Sequence, residues 1–284
     1  VGSPSRQGHQ LDRNTGSGDS FVSLSAKDLE FRAALKLTGD SLVLDINKAV
    51  DTAHNARANG QVRIDTRQGQ TKGTLSLNIA DVFPVLIDFE ADKRQLTFTG
   101  REGGRISAIK PLVDLFGLDQ EIQVWITEYL AGSRYNLQTV SGVLPWDDPG
   151  AILDSLYGEV RVDDCEYTFA PGLEPIKTRY TDVVFKEGVL IITPSESTFY
   201  GQGGEASWLD IDFNDGDNIM LTAYIKTRAR ANDDILNLLR YYDIDLPFKQ
   251  IAGKTTADLT LAINLNHELV EADGAFVIDE GKVA

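Results

Sequence analysis

The clearest alternation of hydrophobic and polar positions lies between residues 218 and 265. At each end of this stretch apolar residues occupy every second position, which predicts a β-strand with one apolar face. Asn232 stands where a helix N-cap belongs, with Asp233 and Asp234 in the expected first turn. The pattern therefore predicts a strand, a capping helix over 233–242 and a return strand opened by Gly253. The alternating apolar residues are Ile219, Leu221, Ala223 and Ile225 in the first strand, and Leu259, Leu261, Ile263 and Leu265 in the second.

Residues 21–104 repeat this period of two in a series of short segments. Within this part of the chain the alternation is clearest at Leu75, Leu77 and Ile79, and the pair Gly39-Asp40 is typical of a hairpin turn. Because short turns separate the segments, we predict a meander of antiparallel strands. The preceding residues, 1–20, are polar and rich in Gly and Ser, and we expect a disordered leader or a tag there.

The period changes in residues 105–132, which we predict to be a helical insert. Ile106, Ile109, Leu112, Val113 and Phe116 fit a helix that is kinked or restarted at Pro111. A second helix would be capped by Asp119, would carry Trp125 and would end at Gly132.

Residues 133–284 return to the β pattern. Lys186-Glu187-Gly188 predicts a turn after the strand that contains Val183 and Phe185. Gly201 and Gly203 indicate a bulge or a close approach of the backbone, and Pro149 to Leu156 fits one or two helical turns. The whole chain is thus predicted to be mainly β with a few short helices. About fourteen strands at ~4.8 Å each would make a sheet ~65 Å long, which should twist and curl.

Composition and charge exclude several classes of function. The chain has 284 residues, 42% of them hydrophobic, and a net charge of −16. That charge argues against a nucleic-acid partner and against docking on an anionic membrane through a basic patch. The single cysteine, Cys165, excludes an internal disulfide and a cysteine-rich metal site. No apolar run reaches the roughly 18 residues that span a bilayer.

No motif in the sequence indicates catalysis. The acid pairs, such as Asp163-Asp164, are better explained as solvated turns or caps than as sites. The segment from Asp210 to Gly216 approaches a calcium loop, but Leu221 stands where the closing acid belongs. The three histidines, His9, His54 and His267, have no partner at ligand spacing. We therefore expect no enzyme activity, no metal and no cofactor.

Three segments together resemble a known family. They are VDLFGLDQEIQVWITEYLAGSRYNLQTVSGVL (113–144), CEYTFAPGLEPIKTRYTDVVFKEGVLIITPSESTFYGQG (165–203) and NLLRYYDIDLPFKQIAGKTTADLTLAINL (237–265). A helix with a central Trp, a Val-x-Phe followed by Gly-x-Leu-x-Ile, and an alternating Leu-x-Leu-x-Ile-x-Leu strand are similar to the AsmA-like envelope proteins, in particular the YhdP branch. The resemblance covers about residues 105–280.

The resemblance implies a fold and a function. The fold is a long antiparallel sheet curled into an open half-pipe, a β-groove with an apolar concave face. The function is a periplasmic segment of a bridge that carries phospholipid between the inner and outer membranes. An inner-membrane anchor would lie outside this chain, and a truncated sheet edge makes end-to-end self-association of the fragment plausible.

The apolar alternation selects the side chains that would line such a groove. They are Leu75, Leu77, Ile79, Phe89, Val183, Phe185, Leu259, Leu261, Ile263 and Leu265. The predicted helices are too few to cover so many one-faced strands, which leaves apolar surface free. The alternative is a structural or adhesive β-rich domain, a sandwich or a solenoid, whose apolar faces pack on each other and whose acidic surface binds protein or glycan without lipid.

Overall fold

The computed structural model describes residues 20–115, 123–124, 127–128, 130–168, 174–204, 207–241, 249–267 and 269–283. These residues are mainly β, with a large antiparallel sheet and few helices, which confirms the prediction from the alternation. Eighteen strands are present among them, more than expected, because β8, β13 and β14 have two residues each and leave no periodic signal. The predicted leader, residues 1–20, lies outside the described residues except for Ser20.

The strands, in chain order, are β1 (Ser20–Ser25), β2 (Leu29–Thr38), β3 (Ser41–Asp51), β4 (Ala56–Asp65), β5 (Gln70–Ile79), β6 (Phe83–Ala91), β7 (Gln95–Glu102), β8 (Leu130–Ala131), β9 (Arg134–Pro145), β10 (Tyr157–Tyr167), β11 (Ile176–Lys186), β12 (Val189–Ser195), β13 (Thr198–Phe199), β14 (Gln202–Gly203), β15 (Trp208–Asp212), β16 (Met220–Ala229), β17 (Gln250–Asn264) and β18 (Leu269–Val283). The helices are α1 (Lys110–Leu115), a 3₁₀ turn (Pro149–Ala151), α2 (Ile152–Ser155) and α3 (Asp233–Tyr241).

The chain divides into two compact units, of which unit 1 comprises residues 1–119 and 136–157. Its strands β1 to β7 pair antiparallel, each with the next, and β9 pairs with β7. The predicted Gly39-Asp40 turn is confirmed, since it joins β2 directly to β3. Gly39 has a φ of +58°, a conformation that glycine adopts without a steric penalty. The predicted meander is thus the observed topology of this unit.

Unit 2 comprises residues 120–135 and 158–284. Its antiparallel pairs are β8 with β10, β11 with β12, β12 with β15, and then β15 to β18 in succession. Leu130, Val162, Cys165 and Ile192 form a buried cluster. The buried hydroxyl of Thr178 donates to the Cys165 carbonyl oxygen at 3.2 Å, so it keeps a partner away from water.

The predicted helix between β16 and β17 is confirmed as α3, with its cap. The Asn232 side-chain oxygen accepts the backbone N–H of Ile235 at 3.1 Å, and Asp233 and Asp234 occupy the first turn. The buried side-chain amide of Gln250 fixes the backbone just before this helix, because its oxygen accepts the N–H of Ala231 at 3.0 Å. The predicted final residue, position 242, lies outside the described residues.

Removing this cap should have a measurable cost. Asn232→Ala is expected to lower the free energy of unfolding by about 1 kcal/mol, because the Ile235 N–H loses its acceptor. Asn232→Asp keeps an oxygen in the same place and should stay within a few tenths of a kcal/mol of the original chain. Urea unfolding followed by circular dichroism measures both. An equal loss in the two variants would show that the cap bond is not what stabilises the helix.

Some local predictions are wrong. The helical insert 105–132 is not helical throughout: Ile106 forms a β-bridge, α1 begins only at Lys110, and β8 occupies 130–131. Of the two alternatives at Pro111, the kink is wrong and the start of a helix is confirmed, because Pro111 lies in the first turn of α1, where its missing N–H costs no hydrogen bond. Gly253 does not open β17, which begins at Gln250; it lies at a register shift inside that strand, with a φ of +83°. Trp125 lies outside the described residues, but residues 123–124 and 127–128 are described and helical, which agrees with the predicted second helix at those positions.

Gly201 does not mark a bulge. Tyr200 and Gly201 have φ values of +47° and +68° and join β13 to β14, as in a tight two-residue hairpin turn. The predicted turn at Glu187-Gly188 has the same character, with φ values of +52° and +76°, and is confirmed. The segment from Pro149 to Leu156 forms a 3₁₀ turn followed by the short helix α2.

Candidate functional site

Strand register places apolar side chains on one side of unit 1. Residues that are paired across an antiparallel ladder point to the same face of the sheet. The pairs form a continuous row across seven strands: Leu35, Leu44, Val62, Gly73, Phe89, Phe98 and Gly142. Leu75, Leu77 and Ile79 lie on this same side, paired with Ile87, Val85 and Phe83. We call it the apolar side of unit 1.

The depth of burial on this side changes from one end to the other. Ile79, Phe83 and Val85 are buried. Leu75, Leu77 and Phe89, by contrast, are only partly buried, and Leu37 at the margin is 69% exposed. Side chains between two packed sheets are normally shielded almost fully, whereas neighbours within one sheet shield each other only from the flanks. Much of this apolar side is therefore accessible.

The aromatic rings on this side fill the space above small residues. A Cβ added to Gly73 would come within 2.6 Å of the Phe89 ring, and one added to Gly142 would come within 3.0 Å of the Phe98 ring. The two rings therefore lie across the neighbouring strands. They extend the apolar surface over positions that carry no side chain of their own.

Unit 2 has an apolar side of its own, built in the same way. The row Val183, Ile192, Leu209, Ala223, Leu261 and Ala272 crosses β11, β12 and β15 to β18. Phe185, Leu259 and Ile263 lie on the same side. Ile211 and Leu221 are buried there, whereas Leu261 is partly buried and Phe276 is 51% exposed. The accessible part of this side is therefore its β17–β18 end.

The lining residues proposed from the sequence thus fall into two sets. Leu75, Leu77, Ile79 and Phe89 share the apolar side of unit 1. Val183, Phe185, Leu259, Leu261 and Ile263 share that of unit 2. Leu265 follows the end of β17, where its N–H donates to the Ile219 carbonyl oxygen. Sequence reasoning missed the partners that complete the rows, such as Leu44, Val62 and Phe98, although the same alternation marks each of them.

The opposite side of unit 1 is polar and carries a depression of about 1110 Å³. Its walls include Asp45, Gln61, Arg63, Lys72, Asp88 and Glu90. These side chains bond to each other across the strands: Gln61 donates to Asp45 at 2.6 Å, and Lys72 meets Glu90 at 2.7 Å. Because this depression lies on the polar side, it does not supply the predicted concave apolar face, which stays a prediction.

Several of the acidic residues stabilise turns by accepting hydrogen bonds from nearby backbone N–H groups. The carboxylates of Asp51, Asp65 and Asp92 each accept the backbone N–H groups two and three residues further on. In the segment 210–216, whose sequence partly matches a calcium-binding loop, Asp212 accepts the N–H of Asn214, and Asp215 accepts that of Asp217. Within the described ranges, no group of three or more His, Cys, Asp or Glu is placed to hold a metal ion.

The carboxyl of Asp210 has a perturbed pKa. Partial burial raises it above the ordinary value of 3.8, and the neighbouring Asp212 raises it further, against a hydrogen bond from Thr222. Because its folded-state pKa is raised, the protonated carboxyl favours the folded chain. That contribution is fully present below the unfolded pKa and is lost as the pH rises through the folded one.

Asp210→Asn is accordingly expected to raise the free energy of unfolding at pH 7, by no more than about 1 kcal/mol because the group is partly exposed. At pH 3 the two chains should be equally stable, since both then carry a neutral group. Urea unfolding at the two pH values measures the difference. A gain that persists at pH 3 would show that charge is not its cause.

In the part of the chain that the structure describes, no helix is long and apolar enough to cross a membrane. Comparisons with protein-family models, with curated proteins and with solved structures find no significant match.

Proposed function

We propose that this chain is a periplasmic segment of an AsmA-like protein, and that it holds the acyl chains of phospholipid against its apolar sides as they pass between the inner and outer membranes. The observation that carries the proposal is the continuity of the apolar rows. In each unit, side chains from six or more strands share one side, which is accessible over much of unit 1 and at the β17–β18 end of unit 2.

The energetics of lipid transfer favour such a surface. Each methylene withdrawn from water contributes about 0.8 kcal/mol, so bare diacyl tails in water cost on the order of 20 kcal/mol. A route between two membranes must shield the tails throughout, while the head group can stay hydrated. A sheet that is apolar on one side and polar on the other meets both conditions. We propose that this sheet curls around the tails with the apolar side concave, although the depression described in unit 1 lies on the polar side.

The charge of the chain suits a passive role. With a net charge of −16, the polar sides should repel anionic head groups and membrane surfaces. Binding then depends on the tails, which differ little between phospholipid classes. No catalytic residue, metal or cofactor is part of this proposal.

Co-purification tests the proposal directly. The chain would be expressed in the envelope of a Gram-negative host, purified without detergent and extracted with organic solvent, and the extract analysed by mass spectrometry. We expect phospholipid at about one molecule or more per chain. The control is a different protein, a packed β-sandwich of similar size, expressed and purified in the same way. Lipid at the level of that control would reject the proposal.

A structural or adhesive β-rich domain is the second candidate. The polar depression of unit 1 favours it, because surface binding of protein or glycan needs a polar concavity rather than an apolar one. In that case the accessible apolar sides would become covered by protein in the assembled state. Two results would support this candidate. The chain would purify without bound lipid, and the hydrogen exchange of its backbone amides would not change when phospholipid vesicles are added.

A further inference from the structure

The polar side of unit 2 carries an exposed aromatic pair. Trp208 on β15 and Tyr224 on β16 are cross-strand partners, and their rings stack with centroids 4.5 Å apart and planes 21° from parallel. Trp208 is 42% exposed. Since Leu209 points to the apolar side of this unit, Trp208 points to the opposite one. Because each ring covers one face of the other, the pair presents the outer face of each ring and the ring edges on the side that lipid would not occupy.

Polar residues extend this pair into a row across the strands. Thr193 follows Ile192, the partner of Leu209, and so lies beside Trp208; Asp182 is in turn the partner of Thr193. In the other direction Tyr224 pairs with Thr260, and Thr260 pairs with Asp273. We call Asp182, Thr193, Trp208, Tyr224, Thr260 and Asp273 the aromatic row. At ~4.8 Å per strand it runs for about 25 Å.

One end of the row is held rigidly. Arg161 donates two hydrogen bonds to the Asp182 carboxylate, at 2.7 and 2.9 Å, and its guanidinium lies 4.2 Å from the centre of the Tyr180 ring. A two-bond arginine–carboxylate contact fixes both groups in one plane. Asp182 is thereby set in place beside Thr193, with fewer conformations to lose when a ligand binds.

We propose that the aromatic row binds a linear polysaccharide of uncharged hexose or N-acetylhexosamine units. A sugar ring has an apolar face of C–H groups, which stacks on an aromatic ring, and a rim of hydroxyls, which donate to carboxylates and exchange hydrogen bonds with threonine. The row supplies the aromatic rings at its centre and these polar groups on either side. Its length suits a chain of several sugar units rather than a single one.

The surroundings disfavour other polymers. The charge of Asp182 is balanced by Arg161, but Asp210 and Asp273 place negative charge beside and along the row, which repels nucleic acid and acidic polysaccharides. A peptide that adds a strand needs an open sheet edge. Both β15 and β16 are paired on either side, so their backbone groups are already used. A ligand here must bind through its faces and hydroxyls.

Calorimetric titration of the full chain with chitohexaose and with cellohexaose tests the inference. We expect at least one of the two to bind. Trp208→Ala and Tyr224→Ala should each weaken that binding about tenfold or more, the equivalent of about 1.4 kcal/mol. Trp208→Phe keeps a ring and should retain most of the affinity. Trp146→Ala is the matched control, because Trp146 is similarly exposed but belongs to unit 1. This variant should bind the oligosaccharide as tightly as the original chain does.

Three results would overturn the inference. They are the absence of binding by both oligosaccharides, undiminished binding after Trp208→Ala, and hexalysine binding at the same row, which would make the site one for cationic peptides. Circular dichroism confirms that each variant is folded. The phospholipid content of Trp208→Ala should equal that of the original chain, because the row lies opposite the apolar side. The oligosaccharide titration and the phospholipid content can therefore fail independently, so a wrong polysaccharide site is distinguishable from a wrong proposed function.

Discussion

Leu261→Glu is expected to reduce the phospholipid that co-purifies with the chain at least tenfold. Leu261 lies within the row from Val183 to Ala272, at the accessible end of the apolar side of unit 2. A carboxylate there would have to lose water whenever an acyl chain covers it, and desolvating an unpaired charge costs several kcal/mol. The measurement is phospholipid per chain by mass spectrometry after detergent-free purification.

The same strand offers a matched control. Thr256 lies on the polar side of β17 and pairs with Arg228, so Thr256→Glu adds an equal charge on the side away from the lipid. Circular dichroism shows whether both variants fold. The prediction is contradicted if folded Leu261→Glu keeps its lipid, or if Thr256→Glu loses as much. Equal losses would mean that overall charge, rather than a charge on the apolar side, governs binding.

Gly60→Ala is expected to lower the free energy of unfolding by about 3 kcal/mol or more. Gly60 lies in the middle of β4 with a φ of +149°, a conformation that residues with a side chain rarely adopt. A Cβ at this position would also collide with the Thr74 carbonyl oxygen and would come within 2.9 Å of the Leu75 Cα. These are backbone atoms of the paired strand, which cannot move aside without breaking the ladder. Urea unfolding measures the change.

Gly39→Ala separates the two causes. Gly39 also has a positive φ, +58°, but a Cβ there would meet no atom within 4 Å. Its replacement should cost about 1–2 kcal/mol, which is the backbone penalty alone. If the two variants lose the same stability, the collision with Thr74 contributes nothing and the close approach of β4 and β5 is looser than described.

Hairpin geometry was predictable where local chemistry decides it. Gly39-Asp40 and Glu187-Gly188 join strands that are adjacent in the chain, so the turn residues and the flanking alternation carry the information. The cap at Asn232 is equally local, because its acceptor and the Ile235 N–H are three residues apart. Gly253 is a position where local sequence was not enough to predict the backbone. Its positive φ marks a register shift, and the position of such a shift depends on how β18 packs beside β17.

The sequence by itself determined that Leu75, Leu77 and Ile79 share one face, as do Leu259, Leu261 and Ile263, because a strand repeats every two residues. Only the tertiary structure decided which faces join into one surface. Asp182 and Thr260 belong to one row because four antiparallel ladders, β11–β12, β12–β15, β15–β16 and β16–β17, hold their strands in register. No pattern within a single strand specifies those pairings. The same holds for accessibility: Ile211 and Leu261 have equivalent patterns, yet one is buried and the other is not, because burial depends on which parts of the chain lie over each residue.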